Sequence, residues 1–233
     1  HSGDPHKMHW AQLPDNQATG LDIDMYWTSL ADDFRCTQNG PITQIHFWGS
    51  FLDDDLPTFS VDSLAFVINI YSNKPADVQT PWSRPGTLLW TREIPPYSYD
   101  FHDVSGLVKK GWFDPVSKLY LPANHKRLFQ YDICFDEDDK LFVQTAGTTY
   151  WLEIKQKREQ QSATYAFGWA TTQQRLQYAD KAVWLHPTNG WLPMSYPNGH
   201  EHEGEALDLA FVITGPDVPD TDYGDAPDPT YST

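Results

Sequence analysis

Residues 63–71 read SLAFVINIY. Leu64, Phe66, Ile68 and Ile70 fall at every second position, the period of a strand with one buried face. The same period recurs on both sides of it. Arg127–Phe135 (RLFQYDICF) sets Phe129, Tyr131, Ile133 and Phe135 inward and Asp132 and Cys134 outward. Thr148–Lys157 (TTYWLEIKQK) points Tyr150, Leu152 and Ile154 to the core, with Trp151, Glu153 and Lys155 opposite. Thr164–Thr171 groups Tyr165, Phe167 and Trp169. Ala206–Thr214 (ALDLAFVIT) groups Leu207, Leu209, Phe211 and Ile213. In Ile42–Phe51 (ITQIHFWGSF) Ile45, Phe47 and Phe51 share one face, and His46 and Trp48 take the other. Asn39-Gly40-Pro41 supplies the turn before it, because Asn and Gly tolerate positive φ. Gly86–Glu93, Tyr99–Val104 and Ala179–Leu185 read as further strands.

Helix is confined to one short candidate, Thr172–Ala182. Gly111–Pro115 reads as a loop, and 1–30 as an extended segment packed on the domain. Many short strands with polar turns and almost no helix predict an all-β chain. The expected architecture is a two-sheet antiparallel β-sandwich with jelly-roll topology over 31–215. Residues 216–233 are rich in Pro and Asp without an apolar period. They read as a linker or the start of another module.

The chain has 233 residues, 16 Lys and Arg against 32 Asp and Glu, and a formal charge of −16. A partner rich in phosphates needs basic stripes, so nucleic acid is not expected as a ligand. No apolar run approaches the roughly 20 residues that span a bilayer, so membrane insertion is not expected either. The two cysteines, Cys36 and Cys134, form no C-x-x-C pair. Export would allow them to bridge, but their strand phases set them on different faces.

Several segments are familiar together: LADDFRCTQNGPITQIHFWGSF (30–51), TTYWLEI (148–154), FGW (167–169), AVW (182–184) and EALDLAFVITG (205–215). The combination resembles an uncharacterised secreted domain common in planctomycetes and some other environmental bacteria. The tail DYGDAPD (222–228) resembles the opening of a GEVED-type repeat of bacterial surface proteins. More loosely, Ala31-Asp32-Asp33-Phe34 resembles strand starts of jelly-roll modules in exported proteins. The resemblance implies a secreted or cell-surface location, a β-sandwich and a modular parent. It assigns no ligand and no activity.

Aromatic residues make up 15% of the chain, with ten Trp. Such rings offer flat faces on which a sugar can stack. Trp48 and Trp151 lie out of phase with the core sets, and Trp82, Trp112 and Trp191 lie in loops. These five are the candidate carbohydrate-binding residues. At least one of Trp48 and Trp151 is expected to reach solvent or line a concave face. Asp32, Asp33 and Asp208 are candidate ligands of a structural Ca²⁺, since hard cations gather several oxygens and paired acids at strand ends supply them. Asp53–Asp55 and Asp136–Asp139 are further acidic runs. His200 and His202, at i and i+2, could share one strand face as a transition-metal pair. His1, as a mature N-terminus, could chelate copper with His6 or His9 nearby.

Hydrolase motifs such as Gly-x-Ser-x-Gly and His-Glu-x-x-His are absent, and so are phosphate loops. The expected function is therefore non-catalytic: a module that binds polysaccharide or a cell-surface glycan. The alternative is an assembly or adhesion module whose partner is a copy of itself. A copper-dependent oxidative enzyme ranks below both.

Overall fold

The computed structural model describes residues 6–58, 60–136, 140–157 and 165–216. Two sheets pack face to face. The larger runs β7 (Asp100–Asp103), β10 (Phe129–Cys134), β4 (Gln44–Phe51), β13 (Phe167–Ala170), β1 (Leu21–Asp24), β8 (Lys110–Asp114) and β9 (Leu119–His125). β16 (Phe211–Thr214) joins it along β4, on the same side as β13 but further back along the strand. The second sheet runs β15 (Gly190–Pro193), β14 (Val183–His186), β2 (Leu30–Arg35), β12 (Thr149–Lys157), β5 (Ala65–Lys74) and β6 (Arg84–Ile94). A short ribbon pairs β3 (Gly40–Pro41) with β11 (Val143–Gln144).

The core lies between the two sheets, where the period-two reading put it. Phe66, Ile68 and Ile70 from β5, Leu152 and Ile154 from β12, Tyr131 and Ile133 from β10, and Phe211 and Ile213 from β16 are all buried in one cluster. Aromatic rings interlock there: Phe47 lies parallel to Tyr131 at 5.1 Å and meets Phe66 edge-on at 5.3 Å.

Three local readings change. Residues 21–24 lie inside the larger sheet between β13 and β8, rather than in an irregular segment. Their four side chains are all buried, which erases the alternation that marks a half-exposed strand. Lys110–Asp114 is a strand, not a loop, and it pairs with β1 in parallel, the one parallel strand pair among the described residues. The helix expected over 172–182 reduces to a single 3-10 turn at Gln174–Leu176. Backbone groups on either side of it bond to other segments instead, Thr172 N–H to Asp208 O and Gln173 N–H to Leu13 O before it and Ala182 N–H to Leu207 O after it.

The smaller sheet curls so far that its edge strands β15 and β6 approach each other across its outer face. Ala31, Trp151 and Val183 are buried on that outer face under Tyr71 and Trp191. This curl creates the candidate site.

Candidate functional site: an aromatic hollow on the curled sheet

A hollow of about 780 Å³ opens between the end of β5, the start of β6 and the β14–β15 hairpin. Trp82 and Trp191 both line it, each half-buried. Trp82 comes from the proline-rich loop after β5, and its indole N–H donates to the Trp191 carbonyl at 3.1 Å. That bond ties the loop to the hairpin. Arg84 holds the loop from below, donating to the Trp82 carbonyl at 3.1 Å and to Asp77 at 2.9 Å. Trp191 is backed by Tyr71, edge-on at 6.3 Å. The Tyr71 hydroxyl donates to buried Glu153 at 2.7 Å, and Asn69 donates to the same oxygen at 2.5 Å. Burial first, then the Glu153 carboxylate, raises the Tyr71 pKa, which keeps the phenol protonated as a donor.

The five predicted tryptophans therefore divide. Trp82 and Trp191 are brought together. Trp48, Trp112 and Trp151 are corrected: all three are sealed from solvent and none can offer a ring to a sugar. Trp48 packs with Leu128, Ala170 and Val212 under the N-terminal residues Ala11 and Leu13. Trp112 lies against Gly168, where a Cβ would come within 2.8 Å of its ring. Trp48 and Trp151 do lie on the outer phase of their strands, but the N-terminal segment covers the first and Tyr71 with Trp191 covers the second, while Trp112 lies on a strand and not in a loop. Trp151 retains an indirect part. Its indole N–H donates to Asn73 Oδ1 at 2.9 Å, and Asn73 lines the hollow. With its oxygen engaged, the Asn73 amide offers N–H donors.

Sequence reading missed Asn73, Lys74, Arg84 and Asn189 in the lining. The available signal was the pair of basic residues flanking the proline-rich loop that carries Trp82.

The calcium candidates converge differently. Asp32, Asp33 and Asp208 are all buried and lie close enough to repel one another. Asp32 accepts from Leu209 N–H at 2.6 Å, Asp33 N–H at 2.9 Å and Gln12 Nε2 at 3.0 Å. Asp208 accepts from Tyr178 N–H at 2.6 Å and Ala182 N–H at 3.3 Å. Neither oxygen of Asp33 meets a donor at hydrogen-bond geometry, although the Asp180 main chain gives it partial relief. Burial pushes all three carboxyls up, Asp208 to about 7, and the neighbouring acids add to the rise for Asp32 and Asp33. Among the described residues no group of three acids, histidines or cysteines is arranged to hold a metal. The N–H donors around Asp32 and Asp208 favour their ionised forms and only partly offset burial, so the balance still lies toward protonated carboxyls. Asp53 and Asp54 serve as loop clamps: Asp54 accepts the Lys126 and Arg127 N–H groups, and Asp53 pairs with the Asn124 amide. Of the other acidic run, 137–139 lie outside the described residues.

His200 and His202 sit in a turn, not on a strand. His200 Nε2 lies 3.0 Å from the Thr19 carbonyl and its Nδ1 accepts the His202 N–H at 3.0 Å, so both ring nitrogens are engaged. That corrects the strand-face pairing, because a turn does not keep the i, i+2 alternation. His1 lies outside the described residues. Cys36 is buried, Cys134 exposed, and the two are not bridged.

Two polar clusters had no sequence signal. Asp132 joins His46 Nδ1 at 2.5 Å and His102 Nε2 at 3.1 Å on the outer face of the larger sheet. Asp22 is fully buried against Lys110 Nζ at 2.9 Å, His125 Nε2 at 2.8 Å and the Ser50 hydroxyl. Burial would raise the Asp22 pKa. Lys110, then His125 and Ser50, outweigh it and hold the carboxyl at about 2. This network is sealed and cannot meet a substrate.

The model of a domain of unknown function, DUF7901, matches residues 8–214. The chain belongs to this family. The match takes in β1 through β16, so the DUF7901 domain includes the N-terminal strand. No curated protein and no solved structure matches the chain.

Proposed function

We propose that this DUF7901 domain is a non-catalytic carbohydrate-binding module of a secreted or cell-surface protein, with the Trp82–Trp191 hollow as its site. The observation that carries the reading is the pairing of two half-exposed indoles with amide and cationic donors in one hollow of about 780 Å³. A pyranose presents a C–H face that stacks on an indole, and a rim of hydroxyls that hydrogen-bond. The volume is within the range of small-molecule sites. Trp82 is held by its bond to Trp191 and Trp191 is backed by Tyr71, so little ordering cost falls on binding.

The test is affinity electrophoresis and calorimetry against a panel of soluble polysaccharides. Trp82→Ala and Trp191→Ala are each expected to weaken binding by at least about tenfold, a loss of about 1.4 kcal/mol. Trp191 also packs on the sheet, so Trp191→Tyr, which keeps a ring, serves as the folding control and should retain most of the affinity. Binding unchanged in both alanine variants removes the hollow as the site.

Assembly with copies of itself is the second reading. It draws on Leu88 and Leu89, adjacent and exposed on edge strand β6. Sedimentation as a monomer across the accessible concentration range would set it aside.

A further inference from the structure

Beside the first hollow lies a second, of about 500 Å³, on the other flank of the β14–β15 hairpin. Trp27, 62% exposed, lines it and meets Tyr26 edge-on at 4.8 Å. Gly190 borders both hollows, so only the hairpin tip separates them. At Gly190 φ is +71° and nothing lies within 4 Å of an added Cβ, so the tip forms a bare saddle between them.

The charge of the lining is the second observation. The chain carries twice as many acids as bases. Yet none of the described residues lining either hollow is acidic, while Lys74 and Arg84 line the first and Lys155 the second. Arg84 is paired with Asp77 at the rim. Lys74 and Lys155 have no ion-pair partner among the described residues. Asn73 is held by Trp151 with its oxygen consumed, which leaves N–H donors. A site built for neutral sugar hydroxyls gains from carboxylate acceptors, because a bond to an ionised acceptor is roughly twice as strong as a neutral one. This surface withholds such acceptors and offers donors and cations. Its complement is a ligand rich in acceptors and negative charge.

We propose that the two hollows are consecutive subsites for one anionic polysaccharide, a chain of carboxylated or sulfated sugars. Its rings stack on Trp82 and Trp191 on one side of the saddle and on Trp27 on the other. Its acid groups meet Lys74 and Lys155. The inference rests on the carbohydrate-binding reading and adds to it the charge class and the length of the ligand.

The test uses the full chain and matched polymers: polygalacturonate and its fully methyl-esterified form, which share a backbone and differ in charge, together with alginate, hyaluronate, dextran sulfate and neutral dextran. Expected results are binding to at least one anionic polymer, no comparable binding to the neutral ones, and affinity that rises with oligomer length until both hollows are filled. Lys74→Gln and Lys155→Gln should each weaken binding by at least about tenfold. Lys126→Gln, in the loop between β9 and β10 and lining neither hollow, equal in its change of net charge, should not. Trp27→Ala should weaken long oligomers and spare short ones. Equal binding to charged and esterified polymers, with both lysine variants unchanged, overturns the anionic assignment and leaves the Trp82–Trp191 hollow standing. Retention of no polymer overturns both readings.

Discussion

Asp33 has two buried carboxylate oxygens without a completed hydrogen bond, beside Asp208 and Asp180. A group in that position resists ionisation, because charge there is neither solvated nor paired. The folded state thus binds protons at Asp32, Asp33 and Asp208 more tightly than the unfolded chain does. Their contribution to stability is fully present below the unfolded carboxyl pKa, near 3.8, and declines as pH rises through about 7 at Asp208. Asp33→Asn removes one such proton site at nearly constant shape. It should raise the melting midpoint at pH 8 by about 2–4 °C, equivalent to about 1 kcal/mol in a domain of this size, and by less at pH 5. The calcium proposal for the same residues makes the opposite forecast. Under it, Ca²⁺ at fixed ionic strength raises the wild-type midpoint at pH 8, and Asp33→Asn abolishes the rise. Protonation of buried, unliganded carboxyls predicts no response to Ca²⁺ or to chelator, so two melting curves separate the two.

At the scale of elements, β1 is the least legible strand and the most consequential. It bridges β13 and β8, and without it the larger sheet divides. Asp22 fastens it, with the carboxylate shared among Lys110, His125 and Ser50, all buried. Removing one partner of a buried ion pair leaves the other uncompensated, at a cost of about 3–5 kcal/mol. Asp22→Ala should lose stability in that range by urea titration. A loss below about 1 kcal/mol would mean that the network is not the fastening of β1. Because the Asp22 pKa is depressed to about 2, its contribution is present above pH 3.8 and is lost as pH falls through 2. The hairpin is the second such element. Gly190→Ala meets no neighbour, so its cost is the backbone strain alone, about 1 kcal/mol. The same change stiffens the saddle between the two hollows.

For the whole molecule, stability must come from the packed aromatic core, since a charge of −16 opposes compaction. No covalent bridge assists: Cys36 is buried on one side and Cys134 exposed on the other. Titration under denaturant should find two reactive thiols, and added reductant should leave the melting midpoint unchanged. A single midpoint that drops in reductant would contradict this. The grooves also belong to this scale. Trp82 and Trp191 are 109 positions apart in the chain and meet because one sheet curls until its edges face each other.

By itself the sequence determined the sandwich and its core. Strands with one face buried keep a period of two, and Ser63–Tyr71, Arg127–Phe135 and Ala206–Thr214 carry that period openly. The all-buried β1, and β8 with four of five residues buried, lack the alternation, so nothing in their residues marks them as strands. The same limit governs the site. Phase puts Trp48 and Trp151 on the outer faces, but phase is a property of one strand, and exposure depends on what the rest of the chain lays over it. The N-terminal segment covers one ring, and Tyr71 and Trp191 cover the other. Which indoles reach solvent, which acids crowd into one buried cluster and which lysines stand beside a hollow are relations between distant residues, and only the tertiary fold brings those residues together.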